Sequence, residues 1–520
     1  MKIKIGKKVL YNGSWKRMLY ILCFCFLCVI DQRVMTCAPN GGGREIFRDS
    51  TGAVMAVLIL SHYKWADIVK YKKIYFGWSI LAAAGLPVLF VVGREWLSFP
   101  EEWLVILFDI LIWGYVIIAT FISIFSEKGR PVFSKKIMTV WLFMMLLMVF
   151  SRSDLWWPLC YLIMFGCFYL TDFDEAERED MFQGALSGII LAFFLFQGLS
   201  FLHRPFDQVR YVGWYTNCNN NALFYLSVLA AVLTKLYCAV RGGGGKWLRA
   251  YYFLGVGVVL SFIVLTIGRA AWIASFIMVF SALFFMGREK KVWLRRALAL
   301  VLCVCLTFPP CFAAARYIPP LRHHPIWFEE EWNENKVHSW DPWNSEKYID
   351  MDEFLDTAGG RIVQSVRELF LHLMPAMKVQ AAQDRFQPLM RDDEYRDGFT
   401  TRSAIYKYFW NDLNWRGHKD DEIGFRMLTN YWIGHAHNII LQFGTNFGIP
   451  VMILFAGMLI GTLYISIKRW AGNRDGRFVG SFLWMMIPLS FGMFEFCWGA
   501  GSLIIFMIFF SWGNVLRKEI

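Results

Sequence analysis

The sequence lacks the cysteine spacings of a metal site or of a disulfide framework. It has twelve cysteines, of which Cys23, Cys25 and Cys28 lie in one apolar run, and residues 316–430 contain none. Unpaired cysteines behave as small apolar side chains in protein interiors. We therefore interpret them as packing residues, and neither a zinc-binding domain nor a disulfide-stapled secreted domain is indicated.

A clean cleavage site for a signal peptide is also missing. The apolar run 18–30 follows a basic start and has the length of a signal-peptide core, but no small residues at a cleavage spacing come after it. We interpret it as a first membrane helix. The chain shows no internal repeat and no pair of broken hydrophobic segments typical of inverted-repeat transporters.

Long hydrophobic runs are abundant. The chain has 520 residues, of which 57% are hydrophobic and 18% aromatic, and its mean hydropathy is +0.41. A helix of about twenty apolar residues spans the hydrocarbon core of a bilayer. Such runs start near residues 18, 51, 74, 103, 137, 155, 181, 219, 251, 270, 293, 438, 478 and 499. The pattern predicts an all-α polytopic integral membrane protein with about 12–14 transmembrane helices.

The charge distribution orients these helices. The formal charge is +12, yet residues 316–430 carry 15 Lys and Arg against 20 Asp and Glu, a net charge of −5, so the rest of the chain carries +17. Much of that excess lies in short loops, which is the positive-inside pattern rather than a nucleic-acid-binding face. We predict that both termini and the basic loops are cytoplasmic. The acidic loop TDFDEAERED from residue 171 falls on the same side and departs from the bias.

This topology divides the chain into three parts. Residues 1–315 form a helix bundle of about 11 spans, residues 316–436 an extracytoplasmic loop domain, and residues 437–520 about three C-terminal spans. The outer block is too long for a simple connection. The segments around Arg210, Arg269 and His437 all fall on its side of the membrane, so polar features from distant parts of the sequence meet at one face.

Two arginines stand at this face. Arg269, in TIGRAAW, follows Gly268 in a tight turn between two apolar runs. A guanidinium there either snorkels to the interface or binds an anion, since it forms bidentate pairs with phosphate or carboxylate. Arg210 opens RYVGWYTNCNNNALF, just before a helix. The asparagines of that segment either cap the helix or, with its N-terminus, bind phosphate and hydroxyl groups.

The histidines of GHAHN open the twelfth predicted span. His437 is either an interfacial side chain or a general base, because a neutral imidazole beside bound phosphate can deprotonate a sugar hydroxyl. His435 precedes it by two residues. Helical geometry would point the two rings apart and argues against a shared metal ion. Asp109 and Glu495 lie within apolar runs and are functional candidates for that reason alone, with no partner evident from the sequence.

These segments resemble the bacterial O-antigen ligase and O-antigen polymerase family. His437 and Asn438, followed after nine residues by Gly448, are similar to its signature, and LQFGTNFGIP to its continuation. TIGRAAWIA resembles its serine-arginine turn with Gly268 in place of serine. The resemblance covers roughly residue 181 to the C-terminus.

Two further segments carry the resemblance. RYVGWYTNCNNNA is similar to the arginine-glycine-asparagine segment of the family, with Asn217 and Asn219 in the amide positions. TTRSAIYKYFWNDLNWRGH resembles the segment that precedes the histidine, with Arg402 matching its arginine. We therefore predict His437 as the catalytic residue. The residues expected to contact diphosphate or glycan are Arg210, Arg269, Arg402, Asn217, Asn219, Asn438 and His435.

The resemblance implies a membrane glycosyltransferase with a GT-C-type fold. It implies a polyprenyl-diphosphate-linked glycan as donor and a hydroxyl of a glycan, a lipid core or a protein as acceptor. Transfer takes place at the outer face of the cytoplasmic membrane of a bacterium, with inversion and without metal or other cofactor. Membrane lipid and other polysaccharide-assembly proteins are the expected partners, and nucleic acid is not. The alternative is a transporter or flippase of lipid-linked oligosaccharide, whose arginines would bind diphosphate without making a bond.

Overall fold

The fold is a bundle of helices, seen in a computed structural model. The structure describes residues 2–5, 8–12, 14–37, 54–55, 57–59, 61–62, 70–88, 91, 111, 114–115, 117–118, 134–153, 158, 161–162, 164, 166–170, 173–201, 206–207, 210–215, 217–287, 289–318, 351–373, 398–419, 422, 425–426, 432–433, 435–495 and 502–516. The helices are α1 Trp15–Cys37, α2 Lys72–Val88, α3 Lys135–Val149, α4 Glu175–Ser200, α5 Cys218–Arg241, α6 Lys246–Leu265, α7 Arg269–Met286, α8 Lys290–Tyr317, α9 Met351–Leu373, α10 Gly398–Asn411, α11 Ile439–Phe447, α12 Ile449–Asn473, α13 Gly476–Ser490 and α14 Leu503–Val515.

Short hairpins and turns complete the secondary structure. The strands are β1 Lys2–Ile5 with β2 Lys8–Asn12, β3 Phe206–Asp207 with β4 Arg210–Tyr211, and β5 Phe425–Arg426 with β6 Trp432–Ile433. Each pair is antiparallel. A π-helical turn spans Gly166–Leu170, and a 3₁₀ turn, Phe491–Met493, follows α13.

The chain is a multi-pass membrane protein. Within the described residues, six helices are long and apolar enough to cross a membrane, namely α4, α5, α6, α7, α8 and α12. The shorter α3 and α14 are also apolar. Most of the residues between α1 and α4 lie outside the described ranges, so the count of about 12–14 spans stays a prediction. The loop domain predicted for residues 316–436 is described only in pieces and also stays a prediction.

Helix α5 is the centre of the bundle. It is apolar on all sides and packs against α4, α6, α7 and α13. Neighbouring helices approach closely at glycines. A Cβ on Gly184 of α4 would lie 2.5 Å from the Cβ of Tyr20 in α1, and a Cβ on Gly480 of α13 would lie 2.7 Å from the ring of Phe182 in α4. Small residues allow membrane helices to pack this tightly.

The helices run alternately between two ends of the bundle. Helices α4, α6, α8 and α13 end where α5, α7 and α12 begin, and we name this the site end because it carries Arg210, Arg269 and His437. The opposite end, named the far end, carries the turns after α5, α7 and α12. A helix of 24 residues with a rise of about 1.5 Å per residue separates the two ends by roughly 36 Å.

Ion pairs at the far end account for the acidic loop that departed from the charge bias. Glu177 pairs with Lys16 of α1, and Asp180 accepts from Arg17 Nε at 2.7 Å. Glu175 pairs with Arg477 of α13. The acids of this loop thus neutralise basic residues of two neighbouring helices instead of orienting the chain.

The span predicted from residue 438 is interrupted, which corrects the prediction of one continuous helix. Gly448 has φ +94° and separates α11 from α12. Pro450 at the start of α12 lacks an N–H donor, which suits a helix start. The loop after α10 stabilises the break at Gly448. Ile449 N donates to Asn414 O at 2.9 Å, and His418 N donates to Thr445 O at 2.8 Å.

We predict that Gly448→Ala destabilises this junction. An alanine Cβ would lie 2.2 Å from Trp415 O, on a backbone whose φ disfavours side chains. Backbone strain of this kind costs about 1–3 kcal/mol, and the clash adds to it. The thermal midpoint of the detergent-solubilised protein should fall by several degrees. Gly457→Ala in α12 is the matched control, since its Cβ would meet no atom within 4 Å. An equal midpoint for both variants would contradict the prediction.

Candidate functional site

Arg210 is held by a small hairpin against the turn between α6 and α7. It lies in β4, which pairs with β3. Its Nε donates to Thr266 O at 3.0 Å, and its Nη2 donates to Asn219 Oδ1 at 3.0 Å. These two bonds fix the plane of the guanidinium, and the described residues leave its other N–H groups available to a ligand.

The asparagines before and within α5 have separate roles. Asn217 is the N-cap of α5, because its Oδ1 accepts from Asn219 N at 2.7 Å. The capping interpretation therefore holds for this residue. The side chain of Asn219 points elsewhere: it accepts from Arg210 and donates from Nδ2 to Glu495 Oε1 at 2.8 Å. Asn219 thus links the arginine to a carboxylate beyond α13.

Glu495 is the partner of the predicted base, and the sequence did not identify it as such. It follows the 3₁₀ turn after α13, and it is only 6% exposed. Its Oε2 lies 3.5 Å from His437 Nδ1, while its Oε1 accepts from Asn219. A carboxylate facing Nδ1 orients an imidazole and stabilises its protonated form, so Nε2 is the nitrogen that can take up a proton. At this distance His437 Nδ1 makes no hydrogen bond to a described residue, and the contacts of a catalytic base are often long before substrate binds.

The expectation that His435 and His437 point apart is wrong. Neither residue lies in a helix, since α11 begins only at Ile439 after its N-cap Asn438. His437 has φ +48°, which turns the backbone and brings the two rings to a centroid distance of 4.2 Å with a tilt of 44°. A positive φ on a residue other than glycine is a strained conformation that is often found at functional sites.

Several side chains hold this turn in place. Asn438 caps α11 by accepting from Leu441 N at 3.0 Å and donates to Met493 O at 3.3 Å. The Tyr406 hydroxyl of α10 lies 2.7 Å from Met493 O and 3.1 Å from His437 O, and its single proton is shared between these two carbonyl oxygens. The structure thus gives Asn438 a positioning role, and whether it also contacts substrate stays a prediction. Tyr406 is a second residue that sequence reasoning missed.

Arg269 lies at the same end of the bundle. It is the first residue of α7, directly after the turn 266–268 whose Thr266 carbonyl accepts from Arg210. Ile267 in that turn has φ +48°, an uncommon conformation for a β-branched residue. The two arginines therefore lie beside one short turn, and their predicted role in binding an anion stays a prediction.

Arg402 lies in α10, four residues before Tyr406, but its side chain is outside the described part of the structure. Its predicted role in binding stays a prediction. The helix itself packs beside the histidine turn, where Ile405 and Phe409 form a small buried cluster with Ala436 and Leu441.

The site is a chain of polar contacts, two hydrogen bonds and one 3.5 Å approach, that runs from a cation to the predicted base. Its members are Arg210, Asn219, Glu495 and His437. The N-termini of α5, α7 and α11 all lie at this end, and their dipoles favour negative charge. Such an arrangement can bind an anion and accept a proton from a neighbouring hydroxyl. Among the described residues, no group of three or more His, Cys, Asp or Glu could hold a metal ion. No protein-family model and no curated protein matches the chain.

Proposed function

We propose that the protein is an inverting glycosyltransferase that moves a glycan from a polyprenyl-diphosphate carrier to an acceptor hydroxyl. The observation that carries the proposal is the chain of contacts from Arg210 through Asn219 and Glu495 to His437. It pairs a cationic anchor for a diphosphate with an oriented imidazole at one end of a membrane-spanning bundle. A substrate with a lipid tail and an anionic head group would enter such a site from the bilayer.

The chemistry assigns one task to each group. His437 Nε2 takes the proton of the acceptor hydroxyl while its oxygen attacks the anomeric carbon. The bond from that carbon to the diphosphate oxygen breaks, the electron pair leaves with the diphosphate, and the configuration inverts. Arg210 and Arg269 stabilise the departing diphosphate, since charge that develops on a leaving group is best met by preorganised cations. Glu495 stabilises the imidazolium that forms.

The proposal places the site end at the outer face of the cytoplasmic membrane of a bacterium. The acceptor is then a growing glycan, a lipid core or a protein, as in the polymerases and ligases that the sequence resembles. Analysis of glycans in cells that lack the protein would separate these activities. Single repeats left on the lipid carrier would indicate a polymerase, and long unattached chains would indicate a ligase.

The direct test uses purified protein with a synthetic lipid-diphosphate glycan and an acceptor. Formation of glycosylated acceptor together with free lipid diphosphate is the expected result. The same protein in liposomes distinguishes the alternative of a flippase. Movement of the donor across the bilayer without product would favour transport and overturn the proposal.

Within this assay, we expect Arg269→Lys to lower the rate by about tenfold or more. Lysine keeps the charge but lacks the planar guanidinium that binds phosphate through two N–H groups. Arg210→Lys should act similarly, since it also loses the bonds to Thr266 and Asn219. Lys407→Gln is a suitable control because Lys407 is exposed on α10 and forms no part of the chain of contacts. Wild-type rates in both arginine variants would show that these side chains are interfacial only.

A further inference from the structure

Four arginines from three helices gather at the far end, away from the site. Arg241 lies in the last turn of α5, Arg249 near the start of α6, and Arg295 and Arg296 near the start of α8. Arg241 Nη2 donates to Phe285 O at 3.4 Å, and Arg296 Nη1 would lie 3.1 Å from a Cβ on Gly287. Arg241 and Arg296 thus lie at the C-terminus of α7. We name these four residues the arginine cluster.

The arginine cluster is not neutralised within the described part of the protein. Arg296 lies near Arg241, Arg249 and Arg295 and carries the same charge. Among the described residues, none of the four forms an ion pair with a carboxylate, whereas Lys16, Arg17 and Arg477 at the same end all do. Arg249 Nε and Arg296 Nη1 are buried and have no hydrogen-bond partner in those same ranges. Arg241 and Arg295 are exposed, so they can contact an external anion, and Arg249 and Arg296 add positive charge beside them.

An apolar surface adjoins the arginine cluster on its membrane side. On α8, Leu298 and Leu302 are 61% and 59% exposed and lie on the same helix face as the exposed Arg295. Helix α6 runs alongside, in contact through Ser261 and Thr307, whose hydroxyl oxygens are 2.9 Å apart. Trp247 near the start of α6 is 88% exposed. Tryptophan at the end of a membrane helix is typical of a membrane interface.

We propose that the arginine cluster binds the phosphate of an anionic phospholipid in the leaflet at the far end. The acyl chains would lie along the exposed apolar faces of α6 and α8, and the guanidinium groups would hold the head group. A lipid fits better than a soluble anion because the cationic and apolar surfaces are contiguous. Basic pockets between membrane helices recognise anionic head groups in this manner.

The test compares lipid binding by the purified full-length protein. Delipidated protein is mixed with phosphatidylglycerol or phosphatidylcholine, and bound lipid is counted by native mass spectrometry. We expect the R249Q/R296Q variant to bind phosphatidylglycerol on the order of tenfold more weakly than wild type. The K72Q/K73Q variant is the matched control, because it removes two exposed charges from α2. Equal loss in both variants, or no loss in either, would overturn the proposal.

Two further measurements distinguish a lipid site from a site for free anions. The R249K/R296K variant keeps both charges and should retain phosphatidylglycerol better than R249Q/R296Q. Phosphatidylglycerol should raise the thermal midpoint of wild type but not of R249Q/R296Q, and inorganic phosphate at the same concentration should have no effect. Equal stabilisation by inorganic phosphate would show a free-anion site and overturn the assignment to lipid.

Discussion

Replacing His437 is expected to lower glycosyl transfer by about 100-fold or more, while lipid-linked donor still binds. A positioned general base contributes typically 10²–10⁴-fold to a reaction rate. In the proposed mechanism the arginines bind the donor, so the loss should appear in kcat rather than in the KM for the donor. Single-turnover rates with purified protein and saturating donor would measure it.

The choice of substitution matters because His437 has φ +48°. Alanine disfavours this left-handed conformation, whereas asparagine tolerates it. His437→Asn therefore removes the base with the least disturbance of the turn, and His437→Ala serves as the second variant. If both lose activity and only the alanine variant loses thermal stability, strain is excluded as the cause. Full activity of His437→Asn would contradict the proposed mechanism.

His435 provides the comparison within the same turn. Its ring lies 4.2 Å from that of His437, so its removal disturbs packing around the base. Yet the ion pair with Glu495 belongs to His437. We therefore expect His435→Asn to reduce the rate less than His437→Asn does. A chelator should leave the wild-type rate unchanged if, as proposed, no metal takes part.

The sequence predicted the parts of the site but not their connections. Arginine after a tight turn and histidine at the foot of an apolar run are local patterns, and both residues do lie at one end of the bundle. The bond from Asn219 to Glu495, by contrast, joins residues separated by 276 positions. Glu495, the acid in FGMFEFCWG, was recognisable from the sequence as unusual for a membrane segment. Its partner depends on how α5 packs against α13, which no local pattern specifies.

The errors near the histidines have a local physical cause. Periodicity predicted a helix from residue 438 onward and therefore a helical spacing for the histidines. Gly448 followed by Pro450 could have indicated the break, since glycine suits a positive φ and proline suits a helix start. The positive φ of His437 had no such signal, because it results from the contacts of Tyr406 and Asn438 with the chain around Met493. Tertiary contacts, and not propensity, fix that turn.

Glu495→Gln is expected to lower the rate by about 10- to 1000-fold, although it changes one atom. Asn219 Nδ2 donates to Oε1, so the glutamine must keep its oxygen on that side. Its amide nitrogen then faces His437 Nδ1 and donates to it. The imidazole would be held with its proton on Nε2, the tautomer that cannot accept a proton from the acceptor hydroxyl. The variant would therefore fail as a base and would also lack the charge that stabilises the imidazolium.

This prediction separates positioning from folding. Glu495→Gln should leave the thermal midpoint close to that of wild type, because the amide has nearly the same shape as the carboxylate and keeps the bond from Asn219. We expect kcat to fall and donor KM to change little. Glu422→Gln, an exposed carboxylate in the loop after α10, is the matched control and should behave as wild type. A Glu495→Gln enzyme with an unaltered kcat would show that the carboxylate merely packs beside the histidine.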